Sequence, residues 1–254
     1  MDKALFQYLL RLGDSTLILS HRLSEWTGHG PAIEEELAVA NVALDLLGQA
    51  RMWLTLAGQV ERKSRDEDAL AYLRDAHDYR NYLIVERPNG HYGDTMARQF
   101  LFDVWHYFLL RELSESSDSR VSDIASKSLK EVAYHVRRSG DIVIRLGDGT
   151  QESHQRMQQA IDNIWPYAGE LFLDDDVTQE LARAGVVPEM GSLLSDWQAH
   201  VGNVLQEATL TTPDMDLAMR PAHRGGIHGR HTEALGYLLA EMQFLQRAYP
   251  GAKW

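Results

Sequence analysis

The chain contains no cysteine. Disulfides and thiolate metal sites are therefore excluded. It also lacks any apolar run long enough for a membrane span. The opening MDKALFQYLLRLGDS carries Asp2, Lys3 and Arg11, and its apolar run is too short for a signal peptide. Basic charge is scarce: 25 Lys and Arg stand against 37 Asp and Glu, a net charge of −12. Nucleic acid is thus a poor partner, because its phosphates would be repelled. No alternating apolar–polar run exceeds about five residues, so no sheet is expected. Internal repeats and low-complexity tracts are absent too. These exclusions point to a soluble, cytoplasmic, all-α protein with neither membrane nor nucleic acid as partner. Its 254 residues, 44% hydrophobic, are enough for one large domain spanning 1–254, and 11 histidines make nitrogen ligands available.

The helical signals are strong in the first two thirds. Ala4 to Glu25 repeats leucine at helical spacing, and GHGP at Gly28 to Pro31 ends that helix. A second helix is expected from Ala32 to Glu61. Glu34, Glu35 and Glu36 sit in its first turns, where the helix dipole favours them. Over Leu37 to Gln49 its one ionisable group is Asp45, and such a nearly uncharged helix is expected to be central. A third helix is expected from Asp68 to Val85, followed by the turn-rich ERPNGHYGD. Thr95 to Leu113 gives a second central helix, with Asp103 the only acid between Phe100 and Leu110. The next helix, around Ser126 to Arg145, is amphipathic. With Glu131 at zero on a helical wheel, the apolar arc runs from roughly 20° to 200° and includes His135 at about 40°. Further helices are expected over Gln151 to Ala168, Val177 to Ala184, Met190 to Ala208 and His231 to Tyr249. Long apolar helices with short connections fit a helix bundle.

Four of these helices offer an inward polar residue: Asp14, Asp45, Asp103, and Glu131 with His135. Di-iron carboxylate bundles use one carboxylate from each of two helices and Glu-x-x-His from each of two others. This chain half-fits that pattern. Asp45 is followed three residues on by Gly48 where a histidine is needed, and His135 stands one residue late after Glu131. Asp103 and His106 have the right spacing, on the helix expected to give a lone carboxylate. The five groups are either an atypical ligand set or a pseudo-metal-site cluster of core polar groups, satisfied by hydrogen bonds or by a buried Arg or Lys. Asp14 and His21 could likewise be a proton relay or ordinary core groups. MRPAHRGGIHGRH (Met219 to His231) is the most basic stretch of the chain. Its Arg220, Arg224 and Arg230 are candidates for contact with an anion, such as a CoA phosphate, or with an acidic partner.

Four long stretches carry a family resemblance: LSEWTGHGPAIEEELAVANVALDLLGQAR, DYRNYLIVERPNGHYGDTMARQFLFDVWH, KEVAYHVRRSGDIVIRLGDGTQESHQRMQ and HTEALGYLLAEMQFLQRAYPGAKW. The resemblance they carry extends over almost the whole chain. It resembles the ferritin-like, non-catalytic (PaaC-type) subunits of bacterial phenylacetyl-CoA 1,2-epoxidases, which are multicomponent monooxygenases of phenylacetate catabolism. The resemblance implies a single ferritin-like bundle with additional C-terminal helices. It implies a related catalytic subunit that holds the di-iron centre and binds most of the phenylacetyl-CoA, and a reductase that brings electrons from NADPH. On this reading the chain holds no metal or cofactor and contributes no catalytic residue. The alternatives are a di-metal carboxylate oxygenase or oxidase with its own atypical ligand set, and an iron or small-ligand storage bundle.

Overall fold

The computed structural model describes residues 1–252, and every described element is helical, as expected. The chain divides into two compact units, residues 1–88 with 225–254, and residues 89–224.

The first unit is built on a hairpin of α1 (Asp2–Ser24) and α2 (Ile33–Glu61). Leu5, Leu9, Leu12, Leu19 and Leu23 are all buried on α1, each contributing roughly 2 kcal/mol of hydrophobic stabilisation. Gly13 lets the two helices approach closely: a Cβ there would lie 2.6 Å from Leu54 Cδ2. The Ser20 hydroxyl donates across the pair to the Ala43 carbonyl at 2.7 Å. In the connecting loop the backbone N–H groups of Gly28 and Gly30 donate to the Glu36 carboxylate at 3.0 and 3.2 Å. One of the three first-turn glutamates thus shapes the turn as well as the dipole.

α2 is not buried all round, contrary to its composition. Val39, Val42, Leu46, Trp53 and Leu54 face inward, while Ile33, Leu37, Leu44 and Leu47 are 71, 61, 65 and 40% exposed. Composition reports how apolar a helix is and not whether this chain itself covers it. The expected third helix also breaks, into α3 (Glu67–Tyr72), a 3₁₀ turn at Ala76–Asp78 and α4 (Leu83–Glu86). The cause is competition for backbone donors. The Arg80 N–H donates to Asp14 at 2.8 Å and the Tyr82 N–H to the Ser15 hydroxyl at 3.3 Å, so neither is left for a helical carbonyl. Two helices from the end of the chain, α11 (Glu233–Met242) and α12 (Phe244–Ala248), complete this unit where one was expected; their order places them after those of the second unit.

The second unit is centred on α5 (Tyr92–Leu113) and α6 (Ser119–Gly147). The start of α5 is fixed by reciprocal bonds, the Asp94 N–H donating to His91 and the His91 N–H to Asp94. Every residue from Thr95 to His106 is buried, which agrees with the expected central helix. Around it lie α7 (Gln151–Ile164), α8 (Asp176–Arg183), α9 (Leu194–Glu207) and the short α10 (Met215–Ala218). At Pro166 the chain changes to a 3₁₀ segment, Trp165–Phe172, because proline lacks the N–H that the α-helix requires. Indole donors tie the layers together: Trp105 Nε1–H reaches the Leu171 carbonyl at 3.0 Å and Trp197 Nε1–H the Leu101 carbonyl at 2.9 Å.

Candidate functional site

Asp14, on α1, is fully buried and already matched. Arg74 grips it with both terminal nitrogens, Nη1 at 3.0 Å from Oδ2 and Nη2 on Oδ1. With the Arg80 N–H as third donor, the carboxylate is held as a closed anion. The guanidinium also donates to the Asp78 carbonyl at 3.0 Å and lies 4.4 Å from the Tyr79 ring centre. Burial alone would lower the Arg74 pKa, but the charge of Asp14 and its hydrogen bonds outweigh it, and the pKa is raised. Burial also pushes the Tyr79 hydroxyl up. His21, two turns along α1, is not among the partners of Asp14, so the two form no relay. The buried Arg expected from the sequence as one way to satisfy these acids is, for Asp14, Arg74. Arg51 is an exposed side chain 3.3 Å from Glu67.

Asp45 lies half-buried at the edge of α2. Gly48 is exposed, and a Cβ there would meet nothing within 4 Å. The position that lacks the expected histidine therefore faces outward, so a side chain restored there would project away from the core.

In the second unit Asp103 is fully buried on α5. Gln99 Nε2–H donates to Oδ1 at 2.6 Å, and the Ser139 Oγ of α6 lies 2.9 Å from Oδ2. Burial pushes the Asp103 pKa up from its ordinary 3.8 to about 8; the bonds from Ser139 and Gln99 only moderate this. At neutral pH the group is therefore largely a carboxylic acid. Proton supply agrees, since Ser139 Oγ is also 2.8 Å from the His135 carbonyl and has one proton for two acceptors. A protonated Asp103 donates to Ser139 Oγ, which in turn donates to that carbonyl. Ser139 falls at about 80° on the wheel centred on Glu131, inside the apolar arc, which is the one signal in the sequence that could have found it.

His135 is buried, as its wheel position requires, while Glu131 is half-buried. His106 is also buried, and neither ring nitrogen has a hydrogen-bond partner among the described residues. Its pKa is lowered to about 3, by burial first and the neighbouring His135 second. The ring sits instead among aromatics, 5.2 Å from Phe102 centre to centre.

The residues present do not fit a di-metal centre. Asp14 is closed by Arg74, Gly48 points outward, Asp103 is taken up by Gln99 and Ser139, and Asp45 and Glu131 are half-exposed. Among the described residues no group of three His, Asp or Glu side chains is placed to hold a metal ion. In the basic segment Arg224 donates to the Met219 carbonyl, and Arg220 and Arg230 are exposed. Sequence reasoning missed a further buried carboxylate, Glu86. It accepts from Asn81 Nδ2–H at 2.9 Å and the Thr232 N–H at 2.6 Å and bonds His231 Nδ1 at 2.8 Å. Placed in a loop-like ERPNG, it gave no periodic signal.

An all-α chain built on two long helix hairpins, with carboxylates and imidazoles turned into its cores, has the components of the ferritin-like class. Comparison with known proteins places it more closely. The model of a family described as "Phenylacetic acid catabolic protein" matches residues 1–254, and the chain belongs to that family. It is 46% identical over 248 residues to a protein of Escherichia coli (strain K12) named as one of the subunits of 1,2-phenylacetyl-CoA epoxidase, covering 97% of this chain and 98% of that protein. No described helix is long and apolar enough to cross a membrane.

Proposed function

We propose that this chain is the structural, non-catalytic subunit of a phenylacetyl-CoA epoxidase, docking and bracing a related di-iron catalytic subunit in phenylacetate degradation. The observation that carries the non-catalytic reading is the closed state of the inward acids: Asp14 is held by Arg74, and Asp103 by Gln99 and Ser139. The 46% identity to a protein named as a subunit of that epoxidase supports the membership. In the complex the partner holds the di-iron centre and most of the thioester substrate, and a separate reductase brings electrons from NADPH. The contribution of this chain is rigidity, since catalytic ligands must be held to within about half an ångström by what surrounds them.

Reconstitution tests this. Catalytic subunit and reductase with this chain should epoxidise phenylacetyl-CoA, and omission of the chain should abolish turnover. The single chain, purified from iron-replete cells, should carry well under one iron. Full turnover without it, or stoichiometric iron with a di-iron spectrum, would overturn the reading.

A further inference from the structure

The first half of α2 exposes a set of apolar side chains. Ile33, Leu37, Leu44 and Leu47 leave much of their surface to solvent, and Ile33 to Leu47 spans about 21 Å along a helix at 1.5 Å per residue. Single apolar side chains on a surface are ordinary, but several gathered on one helix face mark an interaction site. Near its C-terminal end the row opens into a groove between α2 and α3 of about 590 Å³, walled by Leu44, Leu47 and Tyr72. Gly48 keeps the groove open, because it has no side chain and nothing lies within 4 Å of where one would start.

The edges of this face are acidic. Glu34 and Asp45 border the row on α2, and Asp68 lines the groove on α3 beside Glu67, whose charge Arg51 offsets. The one cation in the groove lining, Arg51, lies 3.3 Å from Glu67 and so is already engaged. An apolar centre with a charged rim is the anatomy of a protein–protein interface. The sign of the rim selects the occupant. Two copies of this chain, each at −12, would set acidic rim against acidic rim. A different chain with a basic edge would be attracted.

We propose that the exposed face of α2 and the groove beside Gly48 receive an amphipathic helix of the catalytic partner subunit, an apolar row edged by lysine and arginine. This rests on the subunit reading above and names the face through which the bracing acts. Leu44, Leu47, Gly48 and Asp68 are exposed and Glu67 half-exposed in the single chain, so they can be changed without touching the core.

The test is affinity of the purified chain for the purified catalytic subunit, measured by titration calorimetry and size exclusion. Wild type, Leu44→Asp with Leu47→Asp, Gly48→Trp, and Glu67→Lys with Asp68→Lys are compared. Circular dichroism melting should show all of them folded. The double aspartate variant should bind at least about 100-fold more weakly, as loss of buried interface anchors does. Gly48→Trp should also weaken binding by filling the groove, whereas Gly48→Ala should not. The charge-reversed variant should bind more weakly at low salt, and the deficit should shrink as salt is raised. If wild type binds and the folded groove variants bind equally well, the docking face is refuted and the subunit reading stands. If wild type fails to bind the catalytic subunit, the subunit reading falls and this inference with it. If wild type self-associates and the double aspartate variant is a monomer, the face pairs with a second copy and the assigned occupant is wrong.

Discussion

Replacing Asp103 by Asn should change the pH dependence of stability in a direction opposite to that of a paired carboxylate. The folded pKa of about 8 lies above the ordinary 3.8. Between these values the unfolded chain has lost the proton and the folded chain keeps it. Stability from this group is therefore fully present below about pH 4 and is lost as pH rises towards 8, by about 1.4 kcal/mol per pH unit. An asparagine at this position would keep the geometry: its Oδ1 accepts from Gln99 and its Nδ2–H donates to Ser139 Oγ, as the protonated acid does. The variant has no proton to lose. Urea unfolding of both chains at several values from pH 5 to 8 should give a stability difference that grows in favour of the variant by about 4 kcal/mol across that range. A difference that does not vary with pH would show that Asp103 is ionised in the fold and would refute the reasoning. His106 acts with the opposite sign, because its folded pKa of about 3 lies below the ordinary 6.5. Its contribution is present above pH 6.5 and lost as pH falls towards 3. The two groups together leave stability level between about pH 4 and 6.5 and falling on either side.

His106→Phe should be neutral to stabilising at pH 7 and should remove the acid-side loss, because it deletes a buried N–H that has no acceptor; destabilisation by more than about 2 kcal/mol in urea would contradict this. Arg74→Met should destabilise by about 3–5 kcal/mol, since it leaves Asp14 buried and uncompensated, and Asp14→Asn in the same chain should recover part of that loss in a double-mutant cycle. Glu131→Ala, at a half-buried position, should cost about 1 kcal/mol or less, well under the cost of breaking a buried pair; a larger loss in the same titration would place Glu131 in such a pair. Gly48→His should leave the melting temperature close to that of wild type and add no iron to the purified chain, as metal analysis would show; the gain of an iron site would mean that this position turns inward.

Helical class and most boundaries were legible because long amphipathic or apolar segments carry a strong period. α1, α2, α5 and α6 were all foreseen, and the wheel placed His135 inside correctly. The segment from Asp68 to Val85 was misread because its backbone donors go to Asp14 and Ser15 on α1, residues more than 60 positions away. No local pattern records such a bond. The site was legible as a set of inward acids, but not in its partners. Arg74 lies in a segment whose helical reading gave it no special place, and Gln99 is an unremarkable polar residue on an apolar helix. The outward turn of Asp45 and Gly48 was hidden for another reason. α2 is apolar on both its covered and its uncovered sides, so periodicity could not tell which was which.

The bond between Glu86 and His231 joins residues 145 positions apart, and this sets an order of events on the ribosome. At about 5–20 residues per second, the buried carboxylate waits roughly 7–30 s for its partner to be made. During that interval the whole of 89–224, a continuous stretch, emerges and has its own core available, whereas the first unit still lacks α11 and α12. The first unit to begin synthesis is thus the last to close. A nascent chain stalled before His231 would hold α1, α2 and α4 with an unlatched acid between them. A truncation of the C-terminal helices would make that unfinished intermediate permanent.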